Sequence, residues 1–554
     1  MLLLPGPAPA ASAGGITAVA AGFDGRARMG AWTPVWVDVE APTAGLEGVL
    51  ALEATSPVGG VAARYAVPVR AGPGARVRVF LPAVFYDARA PGALTLEAAG
   101  GRLARLELGR LRPVDEIVLA LSRAPLAGGR LAPGVERLEL VYLSPERLPP
   151  AWQAYEAVRL VIVRDLDERR VDEEQRRALR DWVLAGGRLL AMPSGDDVRG
   201  LQGPTLRPLL PAALSVARGG DLLMTPEAGA RADGPRGARI VRAARGRGRV
   251  VLWEWDGSRP VRADIEARAW EEVLQAGPAP IPPDLESTLP PQRPLPLRMQ
   301  VGTAVVVLAY IAAVRRVSRL AARGQMAGLA VVLLIALAAT AGAVTLAARV
   351  RRDASGPVAS VVVEALPGTA VGRVLVVART VAAPGVTYAF RVGAGMLIRP
   401  AVPSPVTVVV GADGAEVSGT GSVRLVATAL APVRVRAALD AARTRLAVET
   451  ADGVRVDRGW LYVAGRVHAV PAVAGRVQVA LADSRWLSRD RLARTEPNHA
   501  LLLWAFSLLE SDAILKAHPA WLLGWTRDPA LGFRWNGRVE ALWQLVLVPV
   551  ATAE

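Results

Sequence analysis

Residues 158–192 read VRLVIVRDLDERRVDEEQRRALRDWVLAGGRLLAM, and this stretch decides how the middle of the chain is read. Residues 158–163 form a nearly continuous apolar run, interrupted by Arg159 alone. A strand buried on both faces of a parallel sheet has that composition. Asp172 then stands where a helix N-cap belongs, with Gln175 three residues on in the capping-box position. Val171, Ala178, Leu179, Trp182 and Val183 recur at helical spacing, and Gly186-Gly187 stops the helix. Residues 188–192 are the next strand. Working outward, 137–143 reads as a further strand, and Gly246-Arg247-Gly248-Arg249 as a turn into another at 250–253. The arginines between Arg236 and Arg249 alternate with small and apolar residues, the pattern of a solvated strand face. Strands joined by a helix predict a βαβ unit and a doubly wound α/β domain over 115–280.

The run 161–195, with Trp182-Val183, Gly186-Gly187 and Leu189 at the end of its helix, resembles the class I glutamine amidotransferase-like fold (flavodoxin-like α/β) of uncharacterised bacterial membrane proteins. The resemblance implies a strand tip facing an active site, with a nucleophilic Cys at the tip and a His and a Glu supplied later. Here the tip reads Met192-Pro193-Ser194-Gly195. The chain has no cysteine, and its three histidines are His468, His499 and His518, none of them in this region. A thiol–imidazole pair cannot be assembled, so the domain reads as a degenerate copy, a pseudoenzyme. Strand tips of such sheets bind ligands, which makes Ser194, Gly195, Asp196 and Asp197 the candidate ligand-binding residues. The plainer reading is a turn that caps the next helix. Ser194 as the nucleophile of an atypical hydrolase lacks a local base. Two adjacent carboxylates are too few donors for a hard cation. No catalytic residue, metal or cofactor is therefore expected.

On the amino-terminal side, 15–112 alternates apolar and polar residues, as in Val35-Trp36-Val37-Asp38-Val39, with Gly, Pro and Asp between the runs. About seven short strands of this kind predict an Ig-like β-sandwich. Residues 1–14, with an Ala-Ser-Ala that ends at Ala13, read as a truncated signal peptide.

On the carboxyl-terminal side, 281–298 is a Pro-rich linker. Beyond it, 299–350 is predicted to be a two-helix transmembrane hairpin, because 326–350 is apolar for longer than the roughly 20 residues a span needs. Residues 353–554 return to alternation and predict a β-rich domain or domains, with a short helix near 498–509. Seven of the fourteen tryptophans lie between Trp460 and Trp543, where core packing is their commonest fate.

The 554 residues carry a net charge of +16. Nine arginines fall in the window between Glu286 and Asp353, which has no acidic residue. Arg298, Arg315, Arg316, Arg319, Arg323, Arg349, Arg351 and Arg352 flank the apolar stretch, where anionic lipid headgroups would meet them. That placement excludes nucleic acid as the partner, since phosphate binding needs the excess on a soluble face. The expected partners are the lipid bilayer and other envelope or transporter proteins. The sequence thus predicts a non-enzymatic, membrane-anchored bacterial envelope protein, located in the cell membrane with extracytoplasmic domains that bind or scaffold. An accessory subunit of an ABC-type exporter is the alternative, by analogy alone.

Overall fold

The computed structural model describes residues 14–122, 138–254 and 356–552, together with seven positions between 308 and 319. Within those ranges 165, 194–197, 217–221, 234–239, 382–386, 482–485, 489–491, 493–498, 517 and 540–541 are excepted.

The amino-terminal part has two layers. Gly15–Ala21, Trp32–Glu40 and Arg76–Val84 form an antiparallel three-stranded sheet. Its alternation decides its faces. Val35, Val37 and Val39 are fully buried, while the intervening residues carry cross-strand pairs on the outer face. Trp36 lies opposite Phe80 with ring centroids 5.0 Å apart, and Asp38 accepts from Arg78 at 2.7 Å. The second layer holds Leu46–Thr55, Val61–Ala71, Gly92–Ala98 and Gly101–Glu107. It does not end there. Val61–Ala71 pairs in parallel with Val406–Gly411, and the sheet runs on through Gly414–Thr420, Thr387–Val392, Arg534–Trp535 and Arg538–Val539. One nine-stranded sheet is therefore built from both ends of the chain. A single core spans it, from Trp32 and Tyr65 to Phe390 and Phe533.

The middle part is a seven-stranded mixed sheet. Glu139–Tyr142, Ile117–Leu121, Val158–Val163, Arg188–Ala191 and Gly248–Trp253 are mutually parallel neighbours. Ile240–Arg245 and Arg231–Asp233 extend the sheet antiparallel. Helix Glu173–Ala185 connects two of the parallel strands. Its capping box is closed: Asp172 accepts from the Gln175 backbone at 2.8 Å and the Gln175 side chain accepts from the Asp172 backbone at 3.0 Å. Ala178, Leu179, Trp182 and Val183 pack onto one face of the sheet.

The carboxyl-terminal part is a ten-stranded sheet running from Leu397–Pro400 through Arg424–Pro432, Val371–Val381, Gly356–Ala365, Gln544–Pro549, Ala520–Thr526, Arg455–Val463 and Arg466–Val470 to Trp486–Ser488, with Val473–Ala474 paired to Arg455–Val463 off that path. Helix His499–Ser511 covers one face with Leu502, Ala505 and Phe506. A four-stranded sheet that includes Val435–Leu439 and Arg445–Thr450 covers the other. Trp460, Trp521 and Trp525 are buried here.

A buried charge cluster locks the middle part to the carboxyl-terminal part. Arg247, at the turn between Ile240–Arg245 and Gly248–Trp253, donates to both Glu364 and Asp512. Arg373 donates to the other Glu364 oxygen at 2.9 Å. Glu364 is fully buried, and Arg247 and Arg373 nearly so. Burial alone pushes the Glu364 carboxyl up, but the charges and hydrogen bonds of Arg247 and Arg373 more than reverse this and hold it below the usual carboxylate range. The flanking glycines make the insertion feasible. Gly246 has φ +61°, and a Cβ on Gly248 would collide with the Val183 carbonyl oxygen.

Three expectations are corrected. The chain is predominantly β, and among the described residues the middle sheet carries one long helix, not helices on both faces. It is thus not a doubly wound α/β domain, and the amidotransferase-like reading falls with it. The two-helix transmembrane hairpin is also corrected as part of the fold class. Among the described residues no helix is long and apolar enough to cross a membrane. Residues 299–350 lie outside the described residues except for Leu308, Ile311, Ala312, Val314, Arg315, Arg316 and Arg319. Among the described residues the amino-terminal, middle and carboxyl-terminal parts are joined directly, by the nine-stranded sheet and by the Arg247 cluster. Finally, Arg247 is no solvated strand residue, because its guanidinium is consumed by buried carboxylates.

Candidate functional site

The site with the most convergent chemistry is a cavity of about 280 Å³ where the three-stranded, seven-stranded and ten-stranded sheets meet. It lies at the amino ends of the parallel strands: Arg159 is the second residue of Val158–Val163, and Arg188 is the first of Arg188–Ala191. The tip at Met192-Pro193, singled out in the sequence, follows the opposite end of that strand.

Each wall comes from a different segment. Arg28 and Trp32 stand at the entry to Trp32–Glu40. The short 3-10 turn Trp152–Tyr155 supplies an aromatic wall, with Tyr155 stacked on Trp182 at 5.6 Å. Its Gln153 amide donates to the Gly395 and Thr428 carbonyls at 3.0 and 2.9 Å, which fastens the turn to the ten-stranded sheet. Gly186 and Gly187, where the helix stops, bring Arg188 to the lining. Arg399 enters from Leu397–Pro400.

The electrostatics are unbalanced. Four guanidiniums (Arg28, Arg159, Arg188 and Arg399) line the cavity with two carboxylates, Glu116 and Glu156. Both carboxylates are engaged. Glu116 pairs with Arg159 at 2.6 Å. Glu156 accepts from Arg399 at 2.9 Å and from the Trp32 backbone N–H at 2.9 Å. Arg28 pairs with no carboxylate among the described residues. Arg188 is 8% exposed, and burial, with the nearby charges of Arg159 and Arg249, lowers its pKa to about 10. A desolvated cation among like charges is stabilised by an incoming anion. The Tyr155 hydroxyl is buried and has no hydrogen-bond partner among the described residues, and burial pushes its pKa well up.

The residues chosen from sequence fall elsewhere. Ser194, Gly195, Asp196 and Asp197 lie outside the described residues. Arg315, Arg316 and Arg319 are exposed, and Arg298, Arg323, Arg349, Arg351 and Arg352 lie outside the described residues. Among the described residues no group of three or more His, Asp or Glu is placed to hold a metal. His468 packs edge-on against Trp486 at 5.4 Å, and His518 against Trp521 at 5.7 Å. Sequence reasoning missed the four cavity arginines because they come from four distant segments. One signal was present: Arg159 interrupts an otherwise apolar buried strand, and a charge in such a place needs a partner.

Residues 16–108, the strands of the amino-terminal sandwich, match the family described as a domain of unknown function (DUF8726). No curated protein and no solved structure matches the chain.

Proposed function

We propose that this protein is a non-enzymatic binding and scaffolding protein whose junction cavity captures a small molecule bearing a carboxylate or phosphate. The observation that carries this reading is the excess of guanidinium over carboxylate in a cavity walled by Trp32, Trp152, Tyr155 and Trp182. Arginine forks suit planar or tetrahedral oxyanions, and the aromatic wall suits an apolar body. The cavity is lined from three sheets, so occupancy would brace them against one another. Both cavity carboxylates are held in ion pairs, which favours retention of an anion over acid–base work on it.

The test is a titration of the full chain with inorganic phosphate and with benzoate, followed by tryptophan fluorescence and by thermal unfolding. Saturable binding that weakens with salt and is lost in Arg28→Met supports the reading. A flat titration with both anions, or binding unaffected by Arg28→Met, overturns it.

A further inference from the structure

A second cavity, of about 360 Å³, lies against Gly356–Ala365, Gln544–Pro549 and Ala520–Thr526 in the middle of the ten-stranded sheet, where the chain leaves Arg424–Pro432 for Val435–Leu439. It shares no lining residue with the junction cavity. Its walls are mostly apolar, among them Val363, Ala365, Val454 and Val546. Four polar side chains break that surface, and two of them, Arg434 and Asp528, are paired with each other at 2.9 Å. Thr526 and Gln544 face each other on adjacent antiparallel strands, each 1% exposed. The Thr526 hydroxyl and the Gln544 amide oxygen have no hydrogen-bond partner among the described residues.

The orientation of the amide is fixed. Gln544 donates through Nε2 to the Asp528 backbone carbonyl at 2.9 Å. A carbonyl only accepts, so the nitrogen must be on that side and Oε1 is the end left over. The remaining demand is one donor for Oε1 and one partner for a hydroxyl that can donate. Buried groups left in this state are costly, and a native site normally satisfies them. A ligand hydroxyl meets both needs at once, donating to Gln544 and accepting from Thr526. A cavity of about 150 Å³ already suffices for benzene, so this one has room for a larger apolar body behind the hydroxyl.

We propose that this cavity binds a small apolar alcohol or phenol, with its hydroxyl seated between Thr526 and Gln544. The claim is independent of the junction cavity. The test compares 2-naphthol with 2-methylnaphthalene, which has the same shape but no hydroxyl, by calorimetric titration of the full chain. The apolar analogue leaves both orphan groups unsatisfied, so 2-naphthol binds at least about tenfold more tightly. Thr526→Val and Gln544→Met each collapse that preference towards parity, and Thr526→Ser restores it. Equal affinity for the two probes, binding of neither, or a preference that survives both substitutions overturns the proposal. A site that holds only water falls under the second outcome. The probe pair is read on the unaltered protein, so the result stands even where a variant fails to fold.

Discussion

Arg247 meets Glu364 at a point where neither side chain reaches solvent, one carried by a turn of the middle sheet and the other by the ten-stranded sheet. Asp512, just past helix His499–Ser511, takes the other end of the same guanidinium. A turn, a strand and a helix end thus converge on one side chain.

Removing Arg247 takes one of two guanidiniums from the buried Glu364 carboxylate and one from Asp512, with Arg373 left to hold Glu364. Arg247→Met is expected to cost about 3 kcal/mol, read from the urea midpoint at constant slope. Gly248→Ala is expected to act in the same direction, because its Cβ meets the Val183 carbonyl and displaces the turn that carries Arg247. A loss below about 1 kcal/mol for both variants would show that the cluster does not join the parts.

The same cluster sets an acid limit, and Glu364 carries the effect. Burial works to raise its pKa, but Arg247 and Arg373 prevail and hold the folded value below the ordinary 4.5. A carboxyl whose pKa is lower folded than unfolded contributes stability that is complete above the unfolded pKa and is lost as pH falls through the folded one. Unfolding free energy is therefore expected to fall as pH drops below about 4.5 towards the folded pKa. Glu364→Gln should be less stable at neutral pH and flatter across that acid range. Chemical denaturation at a series of pH values checks both, and an unchanged acid profile in the variant counts against the assignment.

Arg188 should matter for binding. Its side chain lines the junction cavity, and burial together with Arg159 and Arg249 disfavours its ionised form, a cost that an incoming anion offsets. Arg188→Met keeps the stem and removes the charge, so phosphate affinity is expected to drop about tenfold or more. A variant that folds and binds phosphate as tightly as the parent protein would contradict the role given to Arg188.

The capping box offers a smaller and more local effect. Asp172→Ala removes the acceptor for the Gln175 backbone N–H and is expected to cost about 1 kcal/mol. Gln175→Ala should cost more, since its side-chain amide also donates to the Glu146 and Leu148 carbonyls, at 3.2 and 2.8 Å. Equilibrium unfolding of the two variants gives the order directly.

What could be read in the sequence was local. The capping box, the apolar stripe of Glu173–Ala185 and the alternation of Val35, Val37 and Val39 all rest on neighbours a few residues apart. The joins were not legible, because they depend on distant partners. Val61–Ala71 and Val406–Gly411 each read as ordinary strands, and nothing in either names the other. Arg247 looked like one more surface arginine, since its carboxylate partners lie far along the chain at Glu364 and Asp512. The junction cavity was hidden for the same reason, its arginines being spread from Arg28 to Arg399.

The parallel pairing of Val61–Ala71 with Val406–Gly411 also dictates an order of events during synthesis. The first of these strands leaves the ribosome long before its partner exists, and until then one of its hydrogen-bonding edges is open to other chains. The protein is thus expected to finish folding late and slowly, as high contact order requires. Chains cut short before Val406 should aggregate rather than settle as a stable amino-terminal fragment.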